Sequence, residues 1–187
     1  MVQQTLVDAE GDIAALVYGV TDRPDLVLCS FARHLIDDGR KVCGLVQYQV
    51  RSPAGSVRKA LILDGWHVVD LHGGAGPEAD CPDACWLDRM CTDVEAAVAG
   101  GVDAVIITRF GPLEAAGRGF RNAILAASQR QVPLVVAVPA REIGRWAQFS
   151  CGLTVRLECT MDSVLAWWRK IASPGLHAGP RACEIFK

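Results

Sequence analysis

The 187-residue sequence has no apolar run that reaches the ~20 residues needed to span a bilayer. It has no basic excess: 19 Lys and Arg stand against 21 Asp and Glu, a net charge of −2. That removes the broad electrostatic case for a nucleic-acid partner. Met1 to Asp12 is polar and acidic, with no basic segment leading into an apolar one, so no secretory signal is expected. No internal repeat is apparent. These absences lead us to expect a cytoplasmic protein that engages neither membrane nor nucleic acid. Without export, the eight cysteines are not expected to form a disulfide framework. Cys29 and Cys43 lie in apolar patterns and read as buried free thiols.

Apolar residues make up 51% of the chain and charged residues 21%, a globular composition at a length suited to one domain with one sizeable core. Strands are expected at Ile13–Tyr18, Val42–Val50, Val57–Leu63, Trp66–Leu71, Ala104–Ile107, Pro133–Val138 and Leu153–Leu157. Helices are expected at Asp25–Asp38, Leu87–Ala99, Leu113–Arg130, Ala140–Phe149 and Met161–Ile171. Gly73 to Ala84 is rich in Gly, Pro and Asp and reads as a loop. Buried strands alternating with helices predict an α/β fold with a mostly parallel sheet, interrupted by an antiparallel hairpin around residues 42–71. We expect an N-terminal extension over residues 1–11, an α/β domain over 12–172 and a tail over 173–187. The tail suits either fraying or docking, on a second copy or on a protein partner.

In an open α/β sheet, ligands sit outside the carboxyl ends of the strands. Two strand ends matter here. The first strand runs through the turn Gly19-Val20-Thr21-Asp22-Arg23-Pro24 into a helix, the context of a phosphate-binding loop, G-x-x-x-x-G-K-[ST]. Aligned on Gly19, that pattern places Pro24 at its second glycine, Asp25 at its lysine and Leu26 at its Ser/Thr. Asp25 would repel a phosphate and Leu26 cannot hold magnesium, so no magnesium-nucleotide site is expected. The turn then has two accounts. It is an ordinary βα turn with Asp22 or Asp25 capping the helix, or a remodelled pocket in which helix amides, Gly19, Thr21, Arg23 and Asp25 meet an anion.

The second strand end is Ala104 to Thr108, followed by Arg109. In P-loop nucleotide hydrolases the corresponding strand ends in an acid that works with magnesium. Here Thr and Arg replace it, and a guanidinium fork suits an oxyanion. Gly117 and Gly119 each cost ~1 kcal/mol inside a helix relative to Ala, which points to a close approach of the backbone.

The segment Thr108-Arg109-Phe110-Gly111-x-x-Glu114-Ala115-x-Gly117-Arg118-Gly119-Phe120 resembles the N-R-F-G-x-x-E-A-x-G-R-G motif of an uncharacterised bacterial family, a domain of unknown function. Gly44-Leu45-Val46-Gln47, Cys85-Trp86-Leu87-Asp88 and Trp167-Trp168 are similar to other parts of that family. The resemblance runs over roughly residues 12–170. Genes of this family often lie near molybdate-transport or nitrogenase-related genes. The family in turn resembles P-loop nucleoside triphosphatases, one of which carries an insertion like the 42–71 hairpin. The resemblance therefore implies a P-loop NTPase-like three-layer sandwich, a molybdate-related role and a degenerate nucleotide site. Thr108 departs from the usual Asn of the motif, and Pro112 from its usual Lys.

Three functions follow from these residues. The first is a non-hydrolysing binding or accessory protein for a small anion, an oxyanion such as molybdate or a nucleotide-like ligand. Its ligand would meet Gly19, Thr21, Arg23, Asp25, Thr108, Arg109, Glu114 and Arg118. The bland account pairs Arg109 with Glu114 or Asp88, and Glu114 with Arg118 along one helix face, the latter worth ~0.3–0.5 kcal/mol. The second is a divergent nucleoside triphosphatase or transferase with Glu114 as general base. The third is a metal-handling accessory protein built on Cys81, Cys85 and Cys91, whose C-x3-C-x5-C spacing differs from common zinc pairs. Cys85 near a helix N-terminus is also a nucleophile candidate, with His67 or His72 as base. His34 is expected to face solvent, and Trp167 and Trp168 to pack the last helix.

Overall fold

The computed structural model describes residues 11–52, 55–71 and 84–172. Its strands are β1 (Ile13–Tyr18), β2 (Val42–Ser52), β3 (Gly55–Ile62), β4 (His67–Leu71), β5 (Ala104–Thr108), β6 (Leu134–Pro139) and β7 (Val155–Glu158). Its helices are α1 (Pro24–Asp37), α2 (Ala84–Gly100), α3 (Pro112–Ala115), α4 (Arg121–Gln129), α5 (Ile143–Phe149) and α6 (Met161–Ala172), with a 3-10 turn at Ala140–Glu142. One seven-stranded sheet runs in the order β4-β3-β2-β5-β6-β1-β7. The pairs β2–β5, β5–β6, β6–β1 and β1–β7 are parallel, and β3 and β4 extend the sheet as an antiparallel ribbon. This is an α/β fold with a mostly parallel sheet flanked by helices, compatible with a P-loop-like fold.

The strand sequences follow from burial on both faces. β5 (AVIIT) and β6 (LVVAVP) are buried at every position, and so carry continuous apolar runs where a half-exposed strand would alternate. On one face Leu87, Cys91, Val94 and Val98 of α2, Ala123, Ile124 and Ala127 of α4, and Trp146 of α5 cover the sheet. On the other, Leu28, Phe31, Ala32 and Leu35 of α1 meet Val164, Trp167 and Trp168 of α6. Phe31 packs edge-on against Trp168 at 6.0 Å, and the Trp167 Nε1–H donates to the Gly11 carbonyl at 3.0 Å. The tandem tryptophans thus pack the last helix, as expected.

Two expectations need correction. The run Leu113–Arg130 is not one helix: α3 stops at Ala115 and α4 starts at Arg121. Gly117 (φ 84°) and Gly119 (φ 58°) turn the chain between them in the left-handed region. Nor does Asp22 or Asp25 cap α1, whose first turn has no side-chain cap. Asp22 instead accepts from the Gly19 amide at 2.7 Å, and both Asp25 oxygens are taken by Arg23 at 2.9 and 3.1 Å. Pro24 opens the helix, where a missing N–H costs nothing. The loop at 73–84 falls, but for Ala84, outside the described residues, as do the extension over 1–10 and the tail over 173–187.

Gly44 fixes the junction between the parallel sheet and the ribbon. It sits mid-strand in β2 at φ 108°, and a Cβ there would overlap the Ile106 backbone of β5. Its carbonyl accepts from Leu63 at the end of the ribbon, at 3.0 Å. Gly44→Ala is expected to lose more than about 2 kcal/mol of stability, because both the conformation and the space are lost. Urea unfolding followed by circular dichroism checks this; a loss under 0.5 kcal/mol, as at an ordinary surface site, contradicts it.

Candidate functional site

The central parallel strands all end on one edge. β5 delivers Thr108 and Arg109 there, β1 delivers Tyr18 and the Gly19–Arg23 turn, β6 delivers Pro139 and then Arg141, and β7 delivers Glu158 and Cys159. The sheet order puts the end of β6 between those of β5 and β1.

Thr108 is built into the sheet. Its side chain is buried, its hydroxyl oxygen accepts from the Gln47 amide at 2.5 Å, and the hydroxyl lies 3.3 Å from the Leu45 carbonyl. It therefore ties β2 to β5 and has no hydroxyl to offer a ligand, contrary to expectation. The Thr108–Arg109 peptide bond is cis. Phe110 is fully buried; its amide donates to the Ala137 carbonyl of β6 at 2.9 Å, and its ring meets Trp146 edge-on at 5.0 Å and Phe149 at 5.4 Å. Arg109 is the one exposed residue from Ala104 to Phe110, held between two anchored neighbours.

The Arg109 charge bears on the Tyr18 phenol at the end of β1. Burial pushes the Tyr18 phenol up, while the nearby guanidinium groups of Arg109 and then Arg141 pull it down. Cys159 stands beside Tyr18, and burial, with the charges of Asp22 and Asp25, pushes its thiol up to about 11. At neutral pH it is a neutral thiol. The Arg23 amide faces its sulfur. Among the described residues, no carboxylate lies within 4 Å of the Arg109 guanidinium, so neither Glu114 nor Asp88 forms the ion pair weighed above.

Glu114 turns inward. It is 5% exposed, and its two oxygens accept from the amides of Gly111 at 2.9 Å and Phe120 at 3.3 Å. Burial pushes its carboxyl up, partly offset by these backbone donors and by the Arg109 charge. A Cβ on Gly119 would overlap its carboxylate, which is why glycine occupies that position. Arg118 lies on the link between α3 and α4 with its side chain exposed, so the helical Glu114–Arg118 pair does not form. Glu114 thus folds its own loop, a poor starting position for a general base, which must reach a substrate proton.

Of the loop residues, Gly19 spends its amide on Asp22, Arg23 and Asp25 neutralise each other, and Thr21 is exposed. They share the edge with Arg109, but the polar groups of Gly19, Asp22, Arg23 and Asp25 are committed within the turn. Cys81 and the Cys85 side chain lie outside the described residues; Cys91 is in the core, its thiol pushed up to about 12 by burial and neighbouring carboxylates. Among the described residues, no three His, Cys, Asp or Glu side chains are grouped to hold a metal. Cys43 is buried as expected, His34 and His67 are exposed, and His72 is outside the described residues. No described helix is long and apolar enough to cross a membrane. A groove of about 510 Å³ lies at the opposite edge, lined by Arg40, Lys41, Cys43, Asp64, Trp66 and Val102 among others.

Sequence reasoning missed Tyr18, Arg141 and Cys159. The carboxyl-end rule, applied to every buried strand and not to β5 alone, would have reached all three.

The chain is therefore an α/β protein whose parallel strands end on one edge at Tyr18, Thr108, Pro139 and Glu158. It belongs to the family described as "Protein of unknown function (DUF2478)", whose model matches residues 13–167. It is also 30% identical over 165 residues to the "Molybdenum import ATP-binding protein ModC 2" of Bradyrhizobium diazoefficiens. That stretch covers 86% of this chain but spans only 18% of the length of that relative. No solved structure matches the chain.

Replacing Glu114 with Gln tests its buried carboxylate. Gln keeps one acceptor and leaves a backbone amide facing an NH2 group, so a loss of about 1–3 kcal/mol is expected. Because the folded carboxyl is raised above its ordinary value of 4.5, its favourable contribution is complete below that pH and is lost as pH rises through the folded value. The wild-type advantage over Glu114→Gln should therefore be largest in acid and shrink toward neutral pH. Urea titrations of both proteins across that range check it; an advantage that grows with pH contradicts the burial argument.

Proposed function

We propose that this chain is a non-hydrolysing binding or accessory protein for a small anion, an oxyanion such as molybdate, working in molybdenum metabolism. The observation that carries the reading is Arg109. It is an arginine held at the carboxyl end of the central strand between two anchored residues, with no carboxylate in ion-pair range among the described residues. A guanidinium in that position offers a planar fork of donors to an anion. The P-loop-like arrangement of the strands supports descent from a nucleotide-binding scaffold. Asp25 stands at the lysine position and Arg109 at the magnesium-acid position, so phosphoryl transfer loses both of its usual supports.

The relative named for molybdenum import supports the choice of anion and the setting. In that protein the similar stretch is a small part of a much longer polypeptide. We read this chain as acting alongside an ATP-binding component of molybdenum uptake, in the cytoplasm, as a sensor or carrier of the oxyanion. The alternative of a divergent nucleoside triphosphatase needs Glu114 as base, and that carboxylate is engaged by two backbone amides.

A thermal-shift screen tests the reading. At about 100 times its Kd, a ligand that binds only the folded chain adds about 2.7 kcal/mol, which raises Tm by roughly 5–10 °C at this size. Molybdate, tungstate or sulfate should do so, ATP with magnesium should not, and Arg109→Ala should abolish the shift. Stabilisation by no anion, or an undiminished shift in Arg109→Ala, counts against the proposal.

A further inference from the structure

Two buried hydroxyls are left unanswered by the fold. Ser128 lies near the end of α4 and is 6% exposed; Ser150 caps the end of α5 and is 4% exposed. Neither Oγ has a hydrogen-bond partner among the described residues. The other buried polar side chains described, Thr108 and Glu114, both bond backbone groups. Unpartnered buried hydroxyls are rare, because giving up the hydrogen bonds of bulk water for nothing costs stability.

Both serines line one small cavity between α4, α5 and the start of β1. Its other walls are the side chains of Ile13, Ile124, Leu125, Trp146, Phe149 and Leu153. The one polar atom among those side chains, Trp146 Nε1, already donates to the Thr154 hydroxyl at 3.0 Å. The cavity measures about 10 Å³, about the space that one water molecule needs. A hydroxyl both donates and accepts, so an occupant facing two of them must do the same. Trp146 and Phe149 also hold the Phe110 ring, at 5.0 and 5.4 Å, so this cavity backs the aromatic cluster that anchors the end of β5.

We infer that this cavity is a hydration site, in which one buried water bridges Ser128 Oγ and Ser150 Oγ and ties the end of α4 to the end of α5. The water accepts from one hydroxyl and donates to the other, so neither serine is left unsatisfied. Each serine then depends on its counterpart. Removing one hydroxyl strands the water or the remaining serine. Removing both leaves a cavity lined by apolar groups, which stays dry and holds no orphaned polar atom.

A thermal double-mutant cycle on the full chain, read beside a high-resolution crystal structure, tests the bridge. Ser128→Ala and Ser150→Ala should each lower Tm by roughly 2–10 °C, while the double variant should return to within about 2 °C of wild type. The crystal structure should show one ordered water within hydrogen-bond distance of both Oγ atoms, and the double variant should lack it. A rise in Tm in either single variant overturns the inference, since only a hydroxyl with no partner at all destabilises the fold that contains it. Additive losses overturn it as well, because each serine then has its own separate partner. Recovery in the double variant with no water in the wild-type cavity also overturns it, and assigns the coupling to direct contact between the two hydroxyls.

Discussion

The anchoring of Phe110 is the constraint on which the site depends. Its amide completes the β6 ladder at Ala137, and its ring is fully buried against Trp146 and Phe149 of α5. Thr108 is fixed as firmly on the other side, bridging to two backbone groups of β2. A residue between two such anchors has little freedom in backbone direction. Arg109 therefore leaves the sheet toward the end of β6 and β1.

Glu114 extends the same constraint downstream. Its carboxylate accepts from the N-cap amides of α3 (Gly111) and α4 (Phe120), and it needs Gly119 to make room. The result is a short helical turn, a reversal and then α4, in place of one long helix. Burial pushes the carboxyl up, and the Arg109 charge favours its ionised form. This arrangement would fail if the carboxylate reached the surface, because Arg109 would then be neutralised in an ordinary exposed pair.

Most of the fold was legible because both-face burial writes itself into sequence as continuous apolar runs. β1 and β5 differ from their expected bounds by one residue or none, and the ribbon announced itself through its turns. The helix Leu113–Arg130 was misread because apolar spacing carried over a break that two glycines and one buried carboxylate enforce. No periodicity records a side chain that turns inward to bond its own backbone. The site was half legible for a similar reason. Arg109 stood out as a charge ending an apolar strand, whereas Tyr18 looked like the last apolar residue of β1, and Arg141 belonged to a helix start. That Asp22 and Asp25 would be absorbed locally was read from the sequence, but as caps of α1; their actual partners, the Gly19 amide and Arg23, were not.

The larger groove at the amino edge sharpens the choice of site. Two helix C-termini, those of α1 and α2, end beside it, and their terminal carbonyls give that edge a negative bias. Arg40 and Lys41 answer that bias, and Asp103 takes both the Arg40 guanidinium at 3.5 Å and the Lys41 amide at 2.7 Å. Arg40 there is thus already paired with a carboxylate. At the carboxyl edge the order is reversed: α1 presents its N-terminus, Asp22 and Asp25 are taken up within the turn, and Arg109 has no carboxylate in ion-pair range among the described residues. Volume favours the first edge and electrostatics the second. For a small anion, whose binding is governed by charge and donor geometry more than by buried apolar area, the electrostatic argument decides.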